Sequence, residues 1–440
     1  MHFFSKRRSH STNLMASVFA LILFSILMSQ ATNAMPSFSR QTGQACSSCH
    51  TQSFGPNLNQ FGRDFKLGGY TMGGGTGTNA KLPPLSGMIT GSFTNTQKGQ
   101  APGTLLPGYN KNNNFTFDEA SLFYAGRIYG KLGAFSQITY NGYEDKLEMD
   151  KTDIRFADNL DFGEHQMTYG ISLNNTPTVQ DLWNTTAWGF PYTGSGVQPG
   201  VGTSALIDGG LDAQVGGATA YTMIDNTLYL EAGAYSSFSN DFQRAFGFPK
   251  PDRLALDGPA PYWRATLQHD WKGHYFALGH FGMSADVFPG RDPSHGADRY
   301  TDVGFDATYQ YLANTKHIFE VKTAYIYEDQ KLNASRAPVT GNTYLNTYKL
   351  NAAYTFDQTY GLTFGYNTIT GSHALDQSQP NSEYFTAELV YVPFGKSGSY
   401  LSPWLNLRTS LQYIGYSQAN GTSTASQDNN TFMINGWLAF

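Results

Sequence analysis

From Pro84 to Phe440 the chain is a succession of segments in which side chains alternate with a period of two, joined by connections that alternate in length. Period two is the repeat of an extended strand, whose successive side chains point to opposite faces. The segments are Leu85–Lys98, Asn114–Tyr129, Gly133–Gly142, Leu147–Ala157, His165–Asn174, Leu211–Met223, Thr227–Phe238 and Tyr262–Asp270. They continue with His274–Asp286, Tyr300–Leu312, His317–Asp329, Thr343–Phe356, Tyr360–Thr370, Glu383–Val392, Pro403–Tyr416 and Thr431–Phe440, sixteen in all. Short turns such as Gly130-Lys131-Leu132, Asn159-Leu160-Asp161, Ile224-Asp225-Asn226, Lys272-Gly273 and Asp357-Gln358 alternate with long polar connections, among them Asn175–Gly210 and Ser239–Pro261. The turn after the third segment is a short exception. An even number of strands with short turns at one end and long loops at the other is the pattern of an antiparallel outer-membrane barrel, the short turns lying on the periplasmic side.

The two faces of each segment carry the same message. In Tyr300–Leu312, Asp302, Gly304, Asp306, Thr308 and Gln310 share one face, opposite Val303, Phe305, Ala307, Tyr309 and Tyr311. Asn406, Arg408, Ser410 and Gln412 likewise oppose Leu405, Leu407, Leu411 and Tyr413. In a barrel the first set faces the lumen and the second faces lipid. A soluble β-sandwich also alternates, but nothing in it requires the parity of loop lengths. Charged residues make up 14% of the chain and aromatics 15%, where a soluble domain averages about 25% charged. The formal net charge of −5 offers no basic surplus for nucleic acid. The expected fold class is therefore all-β: an outer-membrane barrel of about sixteen antiparallel strands, preceded by a small segment with short helices.

The chain opens with Lys6, Arg7 and Arg8, an apolar stretch from Leu14 to Met28 and a small-residue site at Thr32-Asn33-Ala34. These are the parts of an export signal, so residues 1–34 are expected to be removed and the mature chain to begin near Met35. The division expected is 1–34 signal, 35–82 a short N-terminal segment and 83–440 barrel.

Within the second of these lies Cys46-Ser47-Ser48-Cys49-His50, which holds both cysteines of the chain. C-x-x-C-H is the pattern of covalent c-type haem attachment. Two thiols at this spacing reach the two vinyl groups on one porphyrin edge, and the adjacent imidazole can turn onto the iron. A disulfide is the plain alternative. Zinc would need a second ligand pair, which the sequence lacks. Cys46 and Cys49 are thus the expected thioether anchors of one haem c, and His50 its proximal ligand. Met72, in Tyr70-Thr71-Met72-Gly73-Gly74-Gly75, is the first candidate for the distal ligand, because a His/Met pair raises the haem potential and the glycines would let the backbone swing toward the iron. A lumen histidine, His274 or His280, and the new N-terminus at Met35 are alternatives. Some forty-five residues are too few to bury a haem alone, so this segment is expected inside the barrel or against its mouth.

Pro36-Ser37-Phe38-Ser39-Arg40-Gln41-Thr42-Gly43, the C-x-x-C-H motif and Phe61-Gly62-Arg63-Asp64-Phe65-Lys66-Leu67-Gly68-Gly69-Tyr70 together resemble the fused monohaem cytochrome–porin family, the outer-membrane iron oxidases of iron-oxidising bacteria. The specific likeness lies between Pro36 and Tyr70, and that in architecture runs over the mature chain. The resemblance implies oxidation of Fe(II) at the cell surface, with electrons passed inward to a periplasmic carrier such as a c-type cytochrome or a cupredoxin. The same residues would serve an outward conduit to minerals, an oxidase of another donor, or a diffusion porin with a haem plug.

Arg40, Arg63 and Lys66 are candidate partners for haem propionates or lumen carboxylates. Oxygen ligands and imidazole suit Fe(II), which singles out Asp286, Asp292, His295 and Asp298 in an outer loop and Asp302, Asp306, Glu320 and Glu328 in the lumen. Polar loops and a polar lumen are expected of any such barrel, so this second set carries little weight.

Overall fold

In a computed structural model of the chain, residues 35–76, 81–248, 253–335, 343–372 and 380–440 are described. The expected signal, residues 1–34, lies outside them. Seventeen strands occur among the described residues, numbered here in chain order. They are β1 Leu85–Thr96, β2 Asn114–Tyr129, β3 Leu132–Asn141, β4 Lys146–Phe162, β5 His165–Asn174, β6 Val215–Ile224, β7 Leu228–Ser237, β8 Leu254–Leu256 and β9 Ala260–Trp271. The remainder are β10 His274–Pro289, β11 Asp298–Tyr311, β12 His317–Lys331, β13 Thr343–Phe356, β14 Tyr360–Gly371, β15 Ser382–Tyr391, β16 Asn406–Gln418 and β17 Thr431–Ala439. All sixteen expected segments are present, and all pairings are antiparallel. The short β8 is additional and pairs only with the outer end of β10.

The barrel closes because β1 pairs with both β2 and β17. The last residue completes the seam. Gly87 and Phe440 exchange backbone hydrogen bonds of 2.6 and 2.9 Å, and a Cβ on Gly87 would lie 2.6 Å from the Phe440 ring. Closure pairs the strands all the way round, as a bilayer interior demands. The strands alternate as expected: in β11, Asp302, Asp306 and Gln310 are buried in the lumen while Phe305 is half exposed on the outside. Leu122, Ile171, Leu267, Leu278 and Leu389 lie on the same apolar outer surface. An outward apolar face on a closed barrel is the lipid-facing surface of an outer-membrane protein.

Three boundaries differ from the sequence reading. Asn159, Leu160 and Asp161 do not turn but pair with Thr168, Met167 and Gln166, so the hairpin ends at Gly163-Glu164. β6 begins at Val215 because Leu206–Gly210 and the residues after it form an irregular helical turn. Pro403 and Trp404 belong to a long turn before β16 rather than to the strand.

The lumen is filled by two pieces of the chain. One is the N-terminal segment, with helices α1 Pro36–Thr42, α2 Cys46–Cys49 and α3 Gln60–Leu67. The other is the connection between β5 and β6, which turns inward and buries Val179, Leu182 and Trp183. Trp183 Nε1 donates to Tyr275 OH at 2.6 Å, and Arg264 meets Asp181 at 3.4 Å and Asp306 at 2.7 Å.

Candidate functional site

The C-x-x-C-H motif sits in the N-terminal segment, which is bonded to strands around much of the barrel. Ser37 and Ser86 hydroxyls meet at 3.1 Å on β1, Tyr70 OH donates to Asp153 on β4 at 2.6 Å, and Tyr221 OH on β6 donates to the Leu67 carbonyl at 2.8 Å. Arg63 donates to Gln310 on β11 at 3.0 Å, Asn57 to Glu320 on β12, and Gln52 to Thr363 on β14 at 2.9 Å. Buried polar groups cost little only when partnered, and these pairings fix the segment as a plug rather than a loose tether.

Sequence explains the local geometry. Asn59 caps α3 by accepting from the Gly62 N–H at 3.1 Å. Gly62 is where α3 crosses α2: a Cβ there would stand 2.5 Å from the Cys49 carbonyl oxygen. Phe38 of α1 packs edge-on against Phe65, with centroids 4.8 Å apart, and stacks on Tyr70 at 5.4 Å. The three helices thus form one aromatic-cored unit.

Against this unit lies a chamber of about 920 Å³, near the upper end of the roughly 300–1,000 Å³ typical of ligand pockets. Cys49 and His50 line it, with Met35, Phe38, Phe54, Phe65 and Tyr70 of the plug. Met88, Phe123, Phe135 and Trp437 of the barrel and Trp188 of the inward connection complete an apolar wall. Cys46 is fully buried beside them, where Asn406 Nδ2 donates to its Sγ at 2.9 Å. Burial pushes the Cys49 thiol up to about 12 and raises Cys46 as well, Asn406 opposing. Redox-active C-x-x-C thiols have lowered values, so this environment does not suit dithiol exchange. Burial lowers the His50 imidazole to about 4, the Asn57 backbone pulling the other way. Its Nδ1 is buried without a well-formed hydrogen bond. A neutral imidazole is the form that binds metal.

These features fit a c-type haem: a chamber of adequate size with one apolar wall, a neutral imidazole on it, and a sulfur whose amide donor a thioether would accept as a thiol does.

Of the other residues singled out from sequence, Lys66 lines the chamber, but its Nζ donates to Val179 O at 2.8 Å, Asp181 O at 2.6 Å and Asn184 Oδ1 at 2.8 Å. Arg40 donates to the Leu85 carbonyl and lies over Trp404; Arg63 lies over Tyr275. Met72 is 38% exposed and is not on the chamber wall. His280 accepts from Trp263 Nε1 at 3.0 Å, and His274 meets Tyr309 OH at 2.8 Å, on the barrel's outer side.

The carboxylates weighed as iron ligands hold the fold together, in keeping with the plainer reading of a polar loop and lumen. Asp302 and Glu328 accept from the Ile207 and Leu206 N–H groups at 2.7 and 2.6 Å, pinning the inward connection. Asp306 pairs with Arg264 and Glu320 accepts from Gln310 at 2.5 Å. Asp286 pairs with Arg299 at 2.7 Å, Asp292 accepts from the Ser294 N–H at 2.9 Å, and Asp298 from the Ala334 N–H at 2.7 Å. None of these lines the chamber, nor does His295.

Other acids do. Asp118, Glu119, Glu144, Glu148 and Asp150 line the chamber, with Lys151 beside them. Two strand irregularities bring Asp118 and Glu119, and Asp150 and Lys151, to it, while Glu144 lies in the turn between β3 and β4 and Glu148 pairs in register with Thr139. Thr90 pairs with Glu119 while the next residue, Gly91, pairs with Phe117, leaving Asp118 as the extra residue. Ser136 pairs with Thr152 and Ile138 with Met149, so Asp150 and Lys151 both stand opposite Gln137. A bulge breaks the in–out alternation and re-aims side chains. The available signals were the consecutive charged pairs Asp118-Glu119 and Asp150-Lys151 in strands otherwise alternating with period two.

The fold and its filling define the class: a sixteen-stranded outer-membrane barrel whose lumen holds its own N-terminal segment. No protein-family model matches the chain, and no curated protein does. Among solved structures it is similar to OprB of Pseudomonas putida, 14% identical over 83% of this chain and 96% of that one, with a TM-score of 0.49. It is also similar to the outer-membrane channel DcaP of Acinetobacter baumannii, at 12% identity, 81% and 96% coverage and a TM-score of 0.45. The anion-selective porin of Comamonas acidovorans is 12% identical over 81% of this chain and 98% of that one, with a TM-score of 0.44.

Proposed function

We propose that this barrel is a cytochrome-porin that takes electrons from Fe(II) arriving from outside and delivers them inward to a periplasmic redox carrier, a c-type cytochrome or a cupredoxin. The observation that carries the reading is the joining, in one chamber, of Cys49 and His50 with a wall of five carboxylates. A haem c held there supplies a one-electron acceptor and donor. Cys46 and Cys49 would anchor it through thioethers, and His50 would hold its iron. Asp118, Glu119, Glu144, Glu148 and Asp150 attract a divalent cation into the chamber, since walls of one charge sign raise the local concentration of the opposite ion. Each Fe(II) gives up one electron and leaves as Fe(III); the same electron departs to the carrier. Residues of the plug, bonded to the barrel around its interior, keep iron from following.

The test mixes purified wild-type protein with Fe(II) in a stopped-flow instrument while the haem spectrum is followed. Rapid reduction is expected, and loss of both the native spectrum and the reaction in His50→Ala. Haem that Fe(II) leaves oxidised would favour the outward conduit. Passage of small solutes through reconstituted barrels without any haem response would favour the diffusion porin.

A further inference from the structure

Resting on that reading, we propose that the second axial ligand of the haem iron is the thioether of Met35. The run that carries Met72 is occupied elsewhere. Arg127 Nε donates to the Thr71 carbonyl at 2.9 Å, Gln41 Nε2 to the Met72 carbonyl at 2.9 Å, and the Gly75 N–H to the Gln41 carbonyl at 3.0 Å. The glycines serve this packing: a Cβ on Gly74 would lie 2.8 Å from the Thr42 carbonyl oxygen. They bring the backbone against the end of α1, not toward the chamber, and leave the Met72 side chain exposed.

The chamber wall itself offers few donors to a haem iron. His50 is the only histidine on it among the described residues. Lys66 Nζ is held among three oxygens of the inward connection, and Lys151 lies between Asp150, at 3.8 Å, and Asp212, at 4.0 Å. Three methionines remain. The Met149 sulfur accepts from Thr152 Oγ1 at 3.8 Å, among the carboxylates. Met88 is buried, 6% exposed, in a cluster against which Met35 and Phe38 pack. Met35 is only partly buried and belongs to the plug. It shares the chamber with Phe38, Ser39 and Thr42, residues three, four and seven places on, which is the spacing of one helical face. That face of α1 turns a flexible thioether toward the same space as His50, amid apolar neighbours. A thioether is a soft, neutral donor, and paired with imidazole it raises the haem potential, as an acceptor of electrons from iron requires.

The experiment uses the full-length protein, exported and purified in detergent, with the N-terminus of each preparation sequenced to show that residue 35 is retained. Wild type is expected to show the long-wavelength charge-transfer band of a thioether on ferric haem. Met35→Leu is expected to lose that band and to have a lowered midpoint potential while keeping covalent haem; Met72→Leu and Met88→Leu keep the band. Met35→His covers the case in which the leucine variant fails to assemble: it should restore a six-coordinate haem without the thioether band. A wild type without the band, a band that survives at either Met35 variant, or one lost in Met72→Leu or Met88→Leu overturns the assignment. Failure of the underlying reading looks different: no covalent haem in wild type, or haem that Fe(II) does not reduce, whatever the band.

Discussion

Gly62→Ala isolates the seam between the two helices that present the haem motif. The added Cβ would stand 2.5 Å from the Cys49 carbonyl oxygen and 3.0 Å from Leu58 Cδ2. Ordinary contact begins near 3.4 Å, so α2 and α3 must separate by about 0.9 Å. The Leu58 methyl can rotate aside, but the carbonyl belongs to the backbone of the attachment helix. Overpacking of this kind costs about 1–3 kcal/mol, or roughly a five- to hundredfold larger population of the undocked plug at about 1.4 kcal/mol per tenfold. The clash touches no strand, so the barrel should assemble normally, and the thioethers, which need only the two sulfurs, should still form. Trypsin reports the difference, because Arg63 and Lys66 are buried in the docked plug and cleavage follows the open population when closing is fast. The expected result is cleavage after these residues at a rate raised by that factor, with a shifted haem spectrum in an intact barrel. A variant as resistant to trypsin as wild type, with an unchanged spectrum, would refute the argument from this contact.

Asp118→Asn with Glu119→Gln should slow haem reduction by Fe(II) about tenfold at low salt, since two unit charges acting on a divalent ion at about 10 Å in water contribute roughly 1.6 kcal/mol. The deficit should shrink as salt is added, and a rate equal to wild type at low salt would remove the carboxylates from the entry route. Arg408→Met breaks a buried pair with Glu388, whose bonds measure 3.0 and 2.7 Å, and should cost about 3–5 kcal/mol, seen as a lower midpoint for loss of the compact band on heating in detergent. Burial, reinforced by Arg155, lowers Lys66 to about 7 against Asp153, Asp181 and Glu231. Between about 7 and its ordinary 10.5 the unfolded chain holds a proton that the folded chain has released. Wild type should therefore gain stability over Lys66→Met as pH rises through that window and show no trend below it; the heating midpoint of both proteins against pH measures this, and a falling difference would contradict it.

The strands were legible because lumen and lipid impose opposite demands on successive residues: Asp306 against Phe305 and Arg408 against Leu407 mark the faces without any tertiary information. β8 was not legible, since three residues are too few for alternation to appear. The inward course of residues 175–210 was hidden for a related reason. A connection rich in Gly, Asn and Thr looks the same whether it meets water or a polar lumen, and only Trp183 and Leu182 hint at burial. In the site, the motif announced itself because its chemistry is local. The acid wall did not, because it depends on bulges in β2 and β4 that only pairing reveals. Met72 seemed suited to the iron by its glycines, but those glycines answer to Thr42 and Arg127.

Asn406, which touches the first cysteine of the motif, lies 360 residues further along the chain. The thiol is therefore sealed by a residue of the second-to-last strand, and Phe440 closes the seam beside it. On the function proposed above, a group joined to these sulfurs would have to be in place before that wall closes over them.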